Sequence, residues 1–245
     1  MTLVLSLGML IAQERSAGEI SLEDLNKIQE QANIDEETEA TINAVTNNSI
    51  RDLALNRKNV GTVDHLFDYK IEPPSITDQK SSGRCWLFTS LNVLRPKIAK
   101  QYDLENFEFS ESYLFFWDQF EKANLFLENV IQTRDLDIDH RRLQYLFKRP
   151  IGDGGAWQMM PPIVEKYGAV PKQAMAETKN TENTRYMRAL LKKKLRKQGL
   201  ELRADRNKNT ELLRQEKVKM LGDIYRILVV CMGKPPEEFT WRYIE

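Results

Sequence analysis

The chain has 245 residues, 41% hydrophobic and 29% charged, ample for a buried core and typical of a soluble protein. Its 36 Lys plus Arg balance 36 Asp plus Glu, which excludes any global attraction to nucleic acid or to an anionic membrane surface. Two cysteines, Cys85 and Cys231, are too few for a disulfide framework and fit a reducing compartment.

Residues 2–12 are a short apolar run, too short to span a bilayer. The run resembles a signal-peptide core with a cleavage point after Ala12, but no basic residue precedes it. Two readings stand: the remnant of an export signal, or a wrongly assigned start. A cytoplasmic location is the expectation, with export by a cleaved signal as the alternative and no membrane partner. Residues 1–20 are therefore set apart as an N-terminal extension. From 14 to 48 the chain is acidic. Ser21 with Asp24 forms a capping-box pattern ahead of Leu22, Leu25 and Ile28, and a second helix is expected from Glu36 to Val45, stopped at Asn47-Asn48. The acidic charge reads as a solvated face. Gly61 and Pro73-Pro74 mark an extended connection, so 21–74 is a helical arm with its connection.

The stretch Gln79-Lys80-Ser81-Ser82-Gly83-Arg84-Cys85-Trp86 comes next. Beyond it Leu87, Leu91, Leu94 and Ile98 recur at helical spacing. Ser81 and Ser82 are helix-capping residue types, which places Cys85 in the first turn. Unpaired backbone N–H groups and the helix dipole favour an anion there, and a thiolate is an anion. A buried structural cysteine is the competing role. Phe107 to Leu127 is the most aromatic part of the chain. Ser110-Glu111 opens a helix whose Leu114, Trp117, Phe120 and Leu125 are expected against the Cys85 helix, as core and not as a ligand-stacking surface.

Ile151 to Trp157 is a glycine-rich loop; no Lys-Ser or Lys-Thr follows, so a phosphate loop is disfavoured. Met159 to Tyr167 reads as a helix with Pro161-Pro162 in its first turn and Gly168 as its stop. From Arg185 to Lys219 the chain is basic over a helical apolar period. A solvated helical face is the plain explanation. Phosphate contact is the alternative, without sequence specificity because no aromatic residues interleave. The histidines are His65, in the connection, and His140, in a polar run; both read as surface residues.

Gln79, Gly83, Cys85 and Trp86 fall on the pattern of the papain-like cysteine proteases. Gly-Arg-Cys-Trp resembles the bleomycin hydrolase and bacterial aminopeptidase C branch. Asp64-His65, Phe107 to Ser110, Ser112 to Asp118, Asp153-Gly154-Gly155 and Glu165 to Gly168 extend the likeness. Arg84 and Ser82 depart from the commoner papain pattern, where a small residue and a disulfide cysteine stand.

The resemblance implies Cys85 as nucleophile, with the Gln79 amide and the Cys85 backbone N–H as oxyanion donors. It makes Gly155 the residue that pairs with extended substrate, with Gly154 shaping the turn and Trp86 beside them. It implies an α+β papain-like fold for the whole family. This chain would be mostly α: a helical domain over 75–180 and a basic helical insertion over 181–245 that builds a homo-oligomer, a hexamer in that family. The β-barrel carrying the catalytic His and Asn would be missing. The expectation is therefore an N-terminal portion of a cysteine aminopeptidase, inactive alone, acting on peptides without metal or organic cofactor. The alternative is a non-catalytic subunit that forms oligomers or binds nucleic acid.

Overall fold

The computed structural model describes residues 18–61, 64, 66–71, 75–204 and 208–242. The 2–12 run, His65 and Pro73-Pro74 lie outside them. Residues 1–68 and 69–245 form two compact units.

The first unit holds α1 (Leu22–Ala32), α2 (Glu36–Asn47) and the single turn α3 (Ile50–Leu53). The expected capping box is present: Asp24 N–H donates to Ser21 Oγ at 3.0 Å and Ser21 N–H to Asp24 Oδ2 at 3.3 Å. Asp35 caps α2 through Thr38 N–H, and the helix runs two residues past Val45. None of these helices buries a residue.

The second unit is helical, and no strand occurs among the described residues. Its elements are α4 (Cys85–Gln101), α5 (Glu111–Gln132), α6 (Arg141–Lys148), α7 (Met160–Tyr167), α8 (Lys179–Glu182), α9 (Arg185–Ala204) and α10 (Thr210–Met232), with short 3-10 turns at Trp157–Met159 and Lys172–Ala174. Two isolated bridges tie loops together, Ser81 with Asn183 and Phe109 with Pro171.

The aromatic segment becomes α5, around which α4, α6, α7, α9 and α10 pack. Ser110 caps it, accepting from Tyr113 N–H at 3.0 Å. Leu114, Phe115, Phe116, Leu127 and Val130 are wholly buried. Each such side chain contributes roughly 1.5–3 kcal/mol on leaving water. The expected apolar face of α5 is only partly right. Trp117 stacks on Tyr167 of α7 with ring centroids 4.1 Å apart, Phe120 meets Tyr225 of α10, and Leu125 is 61% exposed. A helix buried on nearly every side has no single apolar face, so its periodicity could not name its neighbours. Leu87 and Leu91 of α4 are buried, with Leu94 packed beside them. Gly168 ends α7 at φ 76°, a left-handed backbone that glycine adopts without a Cβ penalty.

The basic segment is α9 and α10. Beneath its charge Leu191, Leu195, Ile224 and Leu228 are fully buried in the same core as α5.

Candidate active site

The loop from Asp78 to Arg84 is tied to itself. Lys80 adopts φ 52°, and its N–H donates to Asp78 Oδ1 at 2.7 Å. Gln79 Nε2 donates to the Ser82 carbonyl at 2.7 Å, while Ser82 Oγ returns a bond to the Gln79 carbonyl at 2.6 Å. Ser81 N–H donates to the Glu182 carbonyl at 2.9 Å. The expected serine cap is not made. Arg84 is the N-cap of α4, without a side-chain cap bond, because the Ser82 hydroxyl is spent on Gln79 and accepts from Arg84 Nε at 3.0 Å.

Cys85 is thus the first residue of α4, and it is exposed. With no side chain capping this helix, the positive end of its dipole stays open at the thiol. Cys231 differs: it is half-buried near the end of α10, and burial pushes its thiol above the ordinary value. One N–H of the Gln79 side-chain amide serves the loop, and a primary amide carries two such donors on its nitrogen.

Two side chains set the loop against the rest of the unit. Arg84 is completely buried, its guanidinium 5.0 and 5.3 Å from the ring centres of Phe88 and Phe115. It donates to both carboxylate oxygens of Glu177, at 3.0 and 2.7 Å. Burial raises the Glu177 carboxyl, but the hydrogen bond and charge of Arg84 outweigh it and hold Glu177 below the usual carboxylate value. Gly83 N–H donates to Asp153 Oδ2 at 2.8 Å.

Asp153 opens the glycine loop. Gly154 and Gly155 are exposed, and Gly155 lies flat on the buried Trp86 indole. A Cβ on Gly155 would sit 2.6 Å from Trp86 Cε2, so the close approach requires glycine. Gly154 is different. A Cβ there meets nothing within 4 Å, and its backbone is not left-handed. Trp86 Nε1 donates to the Asp153 carbonyl at 3.0 Å, supporting the loop from behind. Lys122 of α5 donates to the Gly154 and Gly152 carbonyls at 2.8 and 3.2 Å, and its Nζ stands 5.4 Å from the Trp86 ring centre. Lys122 also pairs with the buried Asp118 at 2.7 Å. Burial nonetheless raises the Asp118 carboxyl, against that charge.

The structure therefore gathers Gln79, Cys85, Trp86 and Gly155 through one network of loop, helix start and glycine turn. Sequence reading did not find Glu177, Lys122 or the part played by the Asp153 side chain. Lys122 had one local signal, its place one turn after Asp118; Glu177 had none. His140 is the N-cap of α6, Nδ1 accepting from Arg142 N–H at 3.2 Å. No group of three or more His, Cys, Asp or Glu able to hold a metal ion occurs among the described residues.

Several cations of the basic segment pair with carboxylates, most of them from outside the segment. Lys194 pairs with Asp223, Lys208 with Glu216, and Arg214 and Lys217 with Glu128 of α5. Arg188 pairs with Asp153, and Arg196 and Arg203 donate to backbone carbonyls. Arg206 lies outside the described residues.

Residues 19–245 match the model of the Peptidase C1-like family. Aminopeptidase C of Lactobacillus delbrueckii subsp. lactis is 42% identical over 205 residues, covering 83% of this chain and 46% of that protein. Bleomycin hydrolase of Homo sapiens is 41% identical over 208 residues, covering 82% and 46%. The crystal structure of PepW from Lactobacillus rhamnosis HN001 superposes with a TM-score of 0.83 at 38% identity, covering 90% of this chain and 50% of that one. The chain spans about half the length of these relatives.

Proposed function

Because the chain belongs to the Peptidase C1-like family, we propose that it supplies the nucleophile half of a cysteine aminopeptidase active site. The observation that carries this reading is Cys85, exposed as the first residue of α4 beside the loop that holds Gln79. The Cys85 thiolate attacks the carbonyl carbon of a substrate's first peptide bond. The oxygen that becomes negative is met by the second Gln79 amide hydrogen and the Cys85 backbone N–H. Gly155 pairs with the extended substrate backbone, and Lys122 and Trp86 keep that wall in place. Collapse of the intermediate leaves an acyl group on sulfur and a free amine, and water then hydrolyses the thioester.

This chemistry needs a base that takes the thiol proton and gives it to the leaving amine. His140 uses Nδ1 as the cap of α6, and we assign that base, as the family resemblance implies, to the histidine of the family's β-barrel half. The working place is cytoplasmic, in keeping with two free cysteines. No helix of the described residues is long and apolar enough to cross a membrane. The 181–245 segment serves assembly of a homo-oligomer, hexameric by family resemblance. Its inward ion pairs and the exposed Tyr186, Val218 and Val230 favour that role over nucleic-acid binding.

Labelling with an aminoacyl chloromethyl ketone under reducing conditions, read by mass spectrometry, tests the reading. Cys85 is expected to react at least about tenfold faster than Cys231; equal labelling overturns it. On an aminoacyl fluorogenic amide, residues 1–245 alone are expected to turn over no faster than the Cys85→Ala variant. Faster turnover would place the base within this chain.

A further inference from the structure

The Asp153 side chain is 8% exposed and meets two separate parts of the unit, the nucleophile loop and the start of α9. Its Oδ2 accepts from Gly83 N–H at 2.8 Å and from the Thr184 hydroxyl at 2.6 Å. Its Oδ1 is held by Arg188, which lies on α9 in the basic segment. Its main-chain carbonyl takes the Trp86 indole N–H at 3.0 Å. The fit is close enough that a Cβ on Gly83 would lie 2.6 Å from Oδ1. Burial alone would raise this carboxyl. The bonds from Thr184 and Gly83 and the charge of Arg188 overcome that and hold it below the ordinary value, so the group is an anion.

Burying an ion pair is a poor way to gain stability, since apolar residues of similar volume often do as well. What an apolar residue cannot do is accept the Gly83 N–H. That N–H is two residues before Cys85, and the acceptor is directly followed by Gly154 and Gly155 of the glycine loop. We propose that Asp153 is a positioning residue for Cys85, fixing the nucleophile loop at Gly83 against the glycine loop, and that Arg188 holds Asp153 in register from α9. This rests on the reading of Cys85 as the nucleophile. It gives the basic helix a task beside Cys85: one of its cations clamps the carboxylate that ties the nucleophile loop to the glycine loop.

The test compares two double variants of equal charge. Asp153→Asn with Arg188→Gln removes both charges but keeps an oxygen for Gly83 N–H and Thr184. Asp153→Ala with Arg188→Gln removes the oxygen as well. Iodoacetamide alkylation of Cys85 and Cys231 is followed in the same molecule by mass spectrometry. Loosening of the fold speeds the half-buried Cys231, whereas loss of positioning slows Cys85 and leaves Cys231 alone. The Cys85 to Cys231 rate ratio is expected to stay within about twofold of the parent in the Asn variant and to fall about fivefold or more in the Ala variant. Equal ratios in the two variants overturn the proposal. Should the Ala variant not fold, the Thr184→Val and Arg188→Gln single variants decide. Each removes one support of Asp153 and is expected to speed hydrogen exchange at the Gly83 amide about threefold or more; unchanged exchange overturns the proposal. A parent Cys85 that reacts no faster than Cys231 counts against the peptidase reading, and the comparison between variants stands regardless.

Discussion

Arg84, the residue immediately before Cys85, donates from both terminal guanidinium nitrogens to the carboxylate of Glu177, 93 residues further along the chain. Arg84 is wholly buried, and the Glu177 side chain is 19% exposed. The pair explains why this chain departs from the small residue that the commoner papain pattern places before the cysteine. It is an anchor for the helix start.

Removing one partner should therefore be severe. Glu177→Ala leaves a guanidinium buried without its counter-charge and is expected to lower stability by about 3–5 kcal/mol. Arg84→Met with Glu177→Leu is expected to recover most of that loss, because no charge is then stranded. Urea unfolding followed by tryptophan fluorescence measures both. A Glu177→Ala loss below about 1 kcal/mol would mean the pair is open to water.

Gly155→Ala drives a Cβ into the Trp86 indole, 2.6 Å from Cε2 and 2.7 Å from Cδ2. The ring must move, and its bond to the Asp153 carbonyl goes with it. The expected loss is about 1–3 kcal/mol of stability, with slower labelling of Cys85 by the aminoacyl reagent. Gly154→Ala is the control. Its Cβ meets open space, and the change should stay within about 0.5 kcal/mol. Equal effects of the two substitutions would contradict the assignment of Gly155 as the close-approach position.

Glu111 heads α5 and is 2% exposed, and its Oε2 finds no partner among the described residues. Burial pushes its carboxyl from 4.5 up to about 7, against the nearby charge of Lys172. The folded state thus prefers the neutral acid. Its contribution is full below the unfolded value, near 4.5, and is lost as pH rises through about 7. The parent should accordingly lose stability between pH 5 and 8 relative to Glu111→Gln, by up to about 3 kcal/mol. Melting curves of both proteins across that range check the sign. Parallel pH profiles would mean that Glu111 ionises freely in the fold.

Oligonucleotide binding through the basic segment is expected to be weak. Most of its cations are engaged internally, whereas Lys192, Lys193 and Lys219 show no ion pair among the described residues. Fluorescence anisotropy at several salt concentrations should then give a log–log slope of about −3 or shallower, independent of sequence. Lys192→Glu with Lys193→Glu should flatten it further. A slope near −8 would show that α9 and α10 open their internal pairs to bind phosphate.

What the residues determined without help is local. The capping box of α1, the cap of α5 at Ser110 and the stop at Gly168 are each specified within about four residues, and each stands where it was expected; α4 starts at Cys85 as expected, but without the serine cap that pointed to it. Cys85 could be singled out from its place at a helix start, and Gln79 only through the family resemblance of the loop before it. The tertiary structure alone decided the rest. Gly83 meets Asp153 across 70 residues, and Arg84 meets Glu177 across 93. No periodicity or cap encodes a carboxylate arriving from a distant loop; only the packing of α4, α5 and α9 brings it there. The same packing turned Arg188, Lys194, Arg214 and Lys217 from a run of positive charge into ion pairs, because their acids sit on Asp153, Asp223 and Glu128. It left Leu125 in water while Trp117 found Tyr167, since a helix enclosed on nearly all sides is oriented by its neighbours and not by its own pattern.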